Sequence, residues 1–167
     1  VYEIGNDPDS PQETGYAITE PGAYYRDFEK ATLANNGKIM PSYPASRELA
    51  AIGGMIGNNS GGELTLKYGQ TRRYVRELDV VLSDGSLATL MPLEAEGLEK
   101  RKSEQTFEGA VYRKLHTLLE ENRDEIERAR PNVSKNSAGY ALWEVEDRAR
   151  GTFDLTQLIT GSQGTLA

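Results

Sequence analysis

The pattern of apolar and polar positions divides the chain into short elements. "VYEI" alternates with the two-residue period of a strand, "GNDPDSPQETG" is dense in turn formers, and "YAITEPG" opens a second strand. A helix is predicted from about Tyr25 to Asn36. Tyr25, Phe28, Thr32 and Leu33 share one face there, and Gly37 supplies a stop. "KIMPSYPAS" carries Pro41 and Pro44, which exclude a regular helix. "LDVVLSDGSLATLM" predicts a hairpin: two β-prone runs flank Asp84-Gly85, a dipeptide suited to the positive φ of a tight turn, with Val80, Leu82 and Leu87 alternating against polar positions. "TFEGAVYRKLHTLLEENRDEIERARP" reads as helix up to Pro131, with Phe107, Val111, Leu115, Leu118 and Leu119 along one stripe. "GTFDLTQLITGSQGTLA" holds an apolar run and then a cluster of small residues. No segment repeats. The pattern predicts an α+β domain, mainly antiparallel sheet flanked by helices.

Between the prolines and the hairpin lies "AAIGGMIGNNSGGE". Gly53, Gly54, Gly57, Gly61 and Gly62 fall within ten positions there, with Asn58, Asn59 and Ser60 among them. Glycine loses much chain entropy on folding, so such a run has a cause. A flexible spacer is the poorest reading, because Ile52, Met55 and Ile56 interrupt the glycines with apolar anchors. Two readings stay open. The glycines let backbone segments pack closely, or they leave bare N–H groups facing an anionic or planar ligand. The spacing G-G-x-x-G-x-x-x-G-G matches neither the dinucleotide fingerprint nor the P-loop.

Composition narrows the function classes. The 167 residues suffice for one domain with a core. Hydrophobic content is 37%, mean hydropathy is −0.61, and no apolar run approaches the ~18 residues of a membrane span. A net charge of −7 argues against nucleic-acid binding by the overall field, and Lys67, Arg72, Arg73 and Arg76 read as a solvated face. There is no cysteine, hence no disulfide, cysteine–zinc site or thiol catalysis. No metal-ligand spacing occurs. The opening residues do not read as a signal peptide, so the Asn58 and Asn132 glycosylation patterns are discounted and a cytoplasmic location is expected. His116, the sole histidine, falls beside the Leu115 stripe and reads as structural. Tyr74, Tyr112, Tyr140 and Trp143 could stack on a ring, although packing is the expected role of each.

"PASRELAAIGGMIGNNSGGELTLKYGQTRRYVRELDVVLSDG" resembles the second FAD-contacting segment of FAD-linked oxidases of the vanillyl-alcohol oxidase and p-cresol methylhydroxylase (PCMH) type. The nearest branch is similar to D-lactate dehydrogenase, glycolate oxidase and alkyl-dihydroxyacetone-phosphate synthase. "GYALWEVEDRARGTFDLTQLITGSQGTLA" resembles the later family segment that ends in a Gly-Ser-Glu-Gly-Thr-Leu-Gly loop. Both lie in the family's order, and the likeness runs from about Tyr16 onward. It implies that Pro44, Ala45 and Ser46 line the flavin, and that Ile52, Gly53 and Gly54 pass close to its ring system or ribityl chain. It further implies main-chain contacts from Ser60, Gly61 and Gly62 with Asn58 nearby, and a second contact loop of Gln163, Gly164 and Thr165. Ala51, Gln163 and Ala167 depart from the usual threonine, glutamate and glycine.

The resemblance implies the larger subdomain of a PCMH-type FAD-binding domain, residues 1–167. The upstream pyrophosphate-loop lobe and the downstream substrate-binding cap are expected to lie outside it. Its function would be to bind FAD in an oxidoreductase that oxidises a 2-hydroxy acid or related alcohol by hydride transfer to flavin. The partners would be FAD and a small hydroxy-acid-like substrate, with the electron acceptor unspecified, no transmembrane segment, and any membrane attachment supplied from outside the chain. The isolated segment is expected to fold, to hold little FAD and to be inactive. The alternatives are a non-catalytic nucleotide-binding module and a purely structural α+β module.

Overall fold

The structure, a computed structural model, describes residues 1–7 and 14–167. The turn expected between the first two strands falls largely on 8–13 and lies outside the described residues. The chain divides into two compact units, Val1–Tyr74 and Val75–Ala167.

In the first unit, β1 (Glu3–Asn6) pairs antiparallel with β2 (Gly15–Ile18), Glu3 opposite Ile18 and Asn6 opposite Gly15. Helix α1 (Tyr25–Asn36) has the predicted bounds, and Gly37 ends it at φ +71° with its N–H on the Leu33 carbonyl. Tyr25, Phe28 and Thr32 are buried on one face as the periodicity requires. Leu33 departs from that expectation and is 50% exposed. The glycine stretch is not one long loop. Ile52–Gly57 forms the short helix α2, followed by α3 (Thr65–Tyr68) and a 3-10 turn at Thr71–Tyr74. Each interior glycine disfavours a helix by about 1 kcal/mol relative to alanine, so propensity alone does not make α2. Ile52 and Met55, three apart, anchor it in a core with Tyr25, Phe28 and Tyr43. Tyr25 packs its ring 5.3 Å from that of Tyr43 and donates its hydroxyl to the Met40 carbonyl at 2.8 Å.

In the second unit, β3 (Leu78–Val81) and β4 (Leu87–Leu90) form the predicted hairpin. The connection is longer than a two-residue turn. The Gly85 N–H bonds the Leu82 carbonyl, Gly85 takes φ +85°, and the Leu82 N–H bonds the Ser86 carbonyl. That is a type I turn closed by a glycine bulge, and Asp84 Oδ1 accepts from both N–H and Oγ of Ser86. The extra residue corrects the expected alternation. Leu82, Ala88 and Leu90 face the core, whereas Leu87 pairs with Val81 on the outer face and is 80% exposed.

Two strands, β5 (Leu93–Glu94) and β6 (Glu146–Asp147), flank β7 (Thr152–Phe153) in an antiparallel sheet. Helix α4 (Ala95–Ser103) was not anticipated. The long helix breaks at Asn122 into α5 (Phe107–Glu121) and α6 (Arg123–Ala129). Its buried stripe is Gly109, Tyr112 and Leu119, with Val111 and Leu115 partly buried, while Phe107 and Leu118 are exposed. Gly109 sets the rotation: a Cβ there would meet the Glu104 carbonyl, so only glycine fits against the end of α4. Thr106 caps α5 by accepting from the Gly109 N–H at 3.0 Å. Helix α7 (Thr156–Ile159) follows.

Every strand pairing among the described residues is antiparallel, and the α+β expectation holds in that form, with the strands spread over three small sheets. No helix among the described residues is long and apolar enough to cross a membrane.

Candidate cofactor site

In the first unit the structure brings the Pro44–Ser46 and Ser60–Gly62 segments together. A Cβ on Gly62 would overlap the Tyr43 carbonyl and lie 3.5 Å from the Ala45 nitrogen, so glycine is what permits the approach. Ser42 donates to the Ser60 carbonyl at 3.0 Å and ties the same two strips of chain. Pro44 and Ser46 carbonyls accept from Arg47 and Leu49 N–H, which folds residues 44–49 into consecutive turns. Glu48 in those turns is held by Arg26 of α1, whose Nε donates at 2.8 Å, and this keeps the Glu48 carboxyl below the usual range. The Arg47 guanidinium lies 4.6 Å over the Tyr43 ring. Ala45 and Ser46 are left exposed at the tip.

The glycines of α2 have different surroundings. Gly53 packs on the turn before α1: its Cβ would sit 2.6 Å from Pro21 Cβ, and its N–H donates to the Pro21 carbonyl at 2.8 Å. Gly54 is exposed, with nothing within 4 Å of a Cβ position. The N–H groups that the sequence offered to a ligand are largely engaged already. Ile52 donates to Ala23, Ser60 to Met55 at 2.9 Å, and Gly62 to Thr65 Oγ1 at 2.7 Å. Among the candidate residues here, Gly54, Ala45, Ser46 and Asn58 are the exposed ones. Asn58 approaches Ser60 Oγ only at 3.5 Å, a weak contact.

In the second unit, residues 161–164 turn sharply. Gly161 (φ +96°), Gln163 (+54°) and Gly164 (+72°) are all left-handed, and Gln163 is not glycine. The buried Ser162 carbonyl accepts from Thr165 Oγ1 at 2.6 Å and from its N–H at 3.2 Å. With the Thr165 proton so placed, Tyr140 is the donor in the 2.8 Å contact between the two hydroxyls. Tyr140 is thus 45% exposed and bonded to this loop, a correction to the packing role expected of it. Gln163, Gly164 and Thr165 are exposed. Tyr112, by contrast, is fully buried as expected, and burial pushes its hydroxyl up to about 12. His116 lies with its ring 5.9 Å from Phe153, in a structural position.

The sequence marked Asn59 as a turn former; Gln70 and Thr71, which with it fix the turn from behind, carried no such mark. Asn59 is buried at φ +45°, its Oδ1 accepts the Arg72 N–H at 3.0 Å, and Gln70 donates to its carbonyl at 2.8 Å. The signal available was Asn-Asn itself, since asparagine tolerates the left-handed region.

A family model described as "FAD binding domain" matches residues 7–91. The chain belongs to the FAD binding domain family. The match takes in both glycine clusters of α2 and the turn after it, together with the β3–β4 hairpin. This FAD binding domain is 35% identical over 155 residues to a D-2-hydroxyglutarate dehydrogenase of Pantoea ananatis, covering 93% of the chain and 14% of that protein. It is 41% identical over 76 residues to glycolate oxidase subunit GlcD of Bacillus subtilis, 46% of the chain and 16% of the subunit. Over 71 residues it is 39% identical to a D-lactate dehydrogenase of Archaeoglobus fulgidus, 42% of the chain and 16% of that protein. The chain therefore spans only about a seventh of the D-2-hydroxyglutarate dehydrogenase (14%). No solved structure matches it.

Proposed function

We propose that this chain is the FAD-holding portion of a flavin-dependent dehydrogenase acting on a 2-hydroxy acid, and the larger subdomain of a PCMH-type domain. The observation that carries this is the exposed, side-chain-free surface at Gly54 beside a turn already locked in place, inside a segment that matches the FAD binding domain family. The relatives' names supply the substrate class: hydroxyglutarate, lactate and glycolate are all 2-hydroxy acids. The family match runs from the first unit into the hairpin of the second, which supports counting both as parts of one FAD-binding domain.

In this reading the first contact segment runs through Pro44, Ala45, Ser46, Ile52, Gly53, Gly54, Asn58, Ser60, Gly61 and Gly62, with Ile52 and Gly53 anchoring it in the core and on Pro21 and the exposed Ala45, Ser46, Gly54 and Asn58 meeting the ligand, and Gln163, Gly164 and Thr165 are the second. Bound FAD supplies the acceptor for the hydride of the hydroxyl carbon. The chain's own task is to hold a planar group against bare backbone and to exclude water there. With net charge −7, the chain's long-range field does not draw a diphosphate in. His116 is committed to the packing of α5, so a histidine base for the substrate hydroxyl comes from outside these residues.

The test is anaerobic mixing of the flavin-loaded full-length protein with D-2-hydroxyglutarate, D-lactate and glycolate. Bleaching of the flavin absorbance by at least one of them is expected. Flavin that binds but is reduced by none of them would leave a nucleotide-binding module and contradict the proposal.

A further inference from the structure

We infer that Gln70, Thr71 and Arg72 are positioning residues for the cofactor turn: Gln70 and Thr71 clamp the consecutive carbonyls of Asn59 and Ser60, Arg72 holds the Asn59 side chain, and together they set the Asn59–Ser60 and Ser60–Gly61 peptide planes before any ligand arrives. The inference rests on the reading that Asn58–Gly62 meets FAD.

The Ser60 carbonyl accepts from three donors: Ser42 Oγ at 3.0 Å, Thr71 N–H at 2.9 Å and Thr71 Oγ1 at 2.9 Å. The Asn59 carbonyl accepts from Gln70 Nε2 at 2.8 Å, and Asn59 Oδ1 accepts from the Arg72 N–H at 3.0 Å. Three neighbouring residues thus hold the turn through both main chain and side chain. Ser42, Asn59, Ser60 and Thr71 are all buried, so water does not compete for the bonds to the Ser60 carbonyl, whereas the Gln70 and Arg72 bonds to Asn59 are part-buried. The Gln70 Cγ also lies 3.3 Å from a Cβ position on Gly61, which closes the turn from behind.

The geometry has a use beyond packing. A glycine-rich turn left to itself samples many conformations, and a ligand must offset the cost of ordering it. The clamp orders Asn59–Gly62 in advance. None of its donors is a charged side chain, so the clamp leaves the electrostatics toward an anionic cofactor unchanged. Arg72 contributes its main-chain N–H, which a side-chain substitution there would leave intact.

The test uses Thr71→Val and, separately, the milder Gln70→Met in the full-length protein, with Thr71→Ser as the conservative control. Each removes one side-chain donor and little volume. FAD dissociation constants are expected to rise roughly fivefold to tenfold in Thr71→Val, the effect of one buried hydrogen bond, and by less, about twofold to fivefold, in Gln70→Met, whose bond is part-buried. The bound-flavin absorption envelope should shift, and Thr71→Ser should restore both. In apo-protein, amide hydrogen exchange of Asn59–Gly62 should quicken in the two variants and not in Thr71→Ser. Variants that melt earlier yet bind FAD with wild-type affinity, spectrum and turn protection would show a purely structural role and overturn the inference. Wild-type protein that binds no FAD would overturn the underlying reading and the inference with it. Faster exchange confined to the variants, with unchanged affinity, would overturn the link between clamp and cofactor.

Discussion

At the residue scale, the two glycines at the start of α2 separate packing from ligand contact. Gly53 is closed off by Pro21, whereas Gly54 opens to solvent. Gly53→Val should lower the melting temperature, because valine must displace Pro21. Gly54→Val should keep the melting temperature, since valine favours helix over glycine and meets no neighbour. It should nevertheless lower the flavin-to-protein ratio of the full-length protein. Equal flavin content in wild type and Gly54→Val would remove Gly54 from the contact surface. Glu108 offers a pH test. Its side chain is 13% exposed, and burial outweighs the Arg101 guanidinium 3.6 Å away, holding its carboxyl above the usual range. A raised folded value means the folded chain binds this proton more tightly. The wild type therefore loses stability as pH rises from about 4.3, the unfolded value, through the folded value. Glu108→Gln should gain melting temperature relative to wild type over that interval and hold the gain at neutral pH. A difference that stays flat with pH would contradict the burial argument.

At the scale of elements, the boundaries set by backbone chemistry were legible and those set by tertiary contact were not. Gly37 ended α1 as expected because a left-handed cap is a local requirement. The hairpin turn was legible at Asp84-Gly85 for the same reason. Its register was not, because a single bulged residue moved Leu87 outward and Ala88 inward. Gly85→Val should destabilise by about 1–2 kcal/mol, the cost of a side chain at positive φ. Chemical denaturation checks it, and an unchanged midpoint would refute the bulge. The glycine stretch hid α2 because propensity argues against a helix there, and only Ile52 and Met55 docking beside Tyr25 and Tyr43 overrides it. The stripe on α5 was rotated for a similar reason: Gly109, a poor helix former, is the point of closest approach to the end of α4.

At the scale of the whole molecule, the FAD-binding family was legible by the likeness of the glycine-rich segment, and the family match over residues 7–91 bears that likeness out. The clamp behind the first segment was not legible, since it joins Ser42, Asn59, Ser60, Gln70 and Thr71 through bonds that no periodicity marks. The engaged N–H groups of Gly53, Ser60 and Gly62 also change how the segment meets a ligand, toward bare Cα surface and a preset turn. The central claim is that this chain holds FAD. It is tested most directly by titrating FAD into flavin-stripped full-length protein and following the flavin fluorescence. Saturable, one-to-one quenching with return of the yellow flavin absorbance is expected. A folded protein that stays colourless and leaves the fluorescence unchanged at every FAD concentration would contradict the claim.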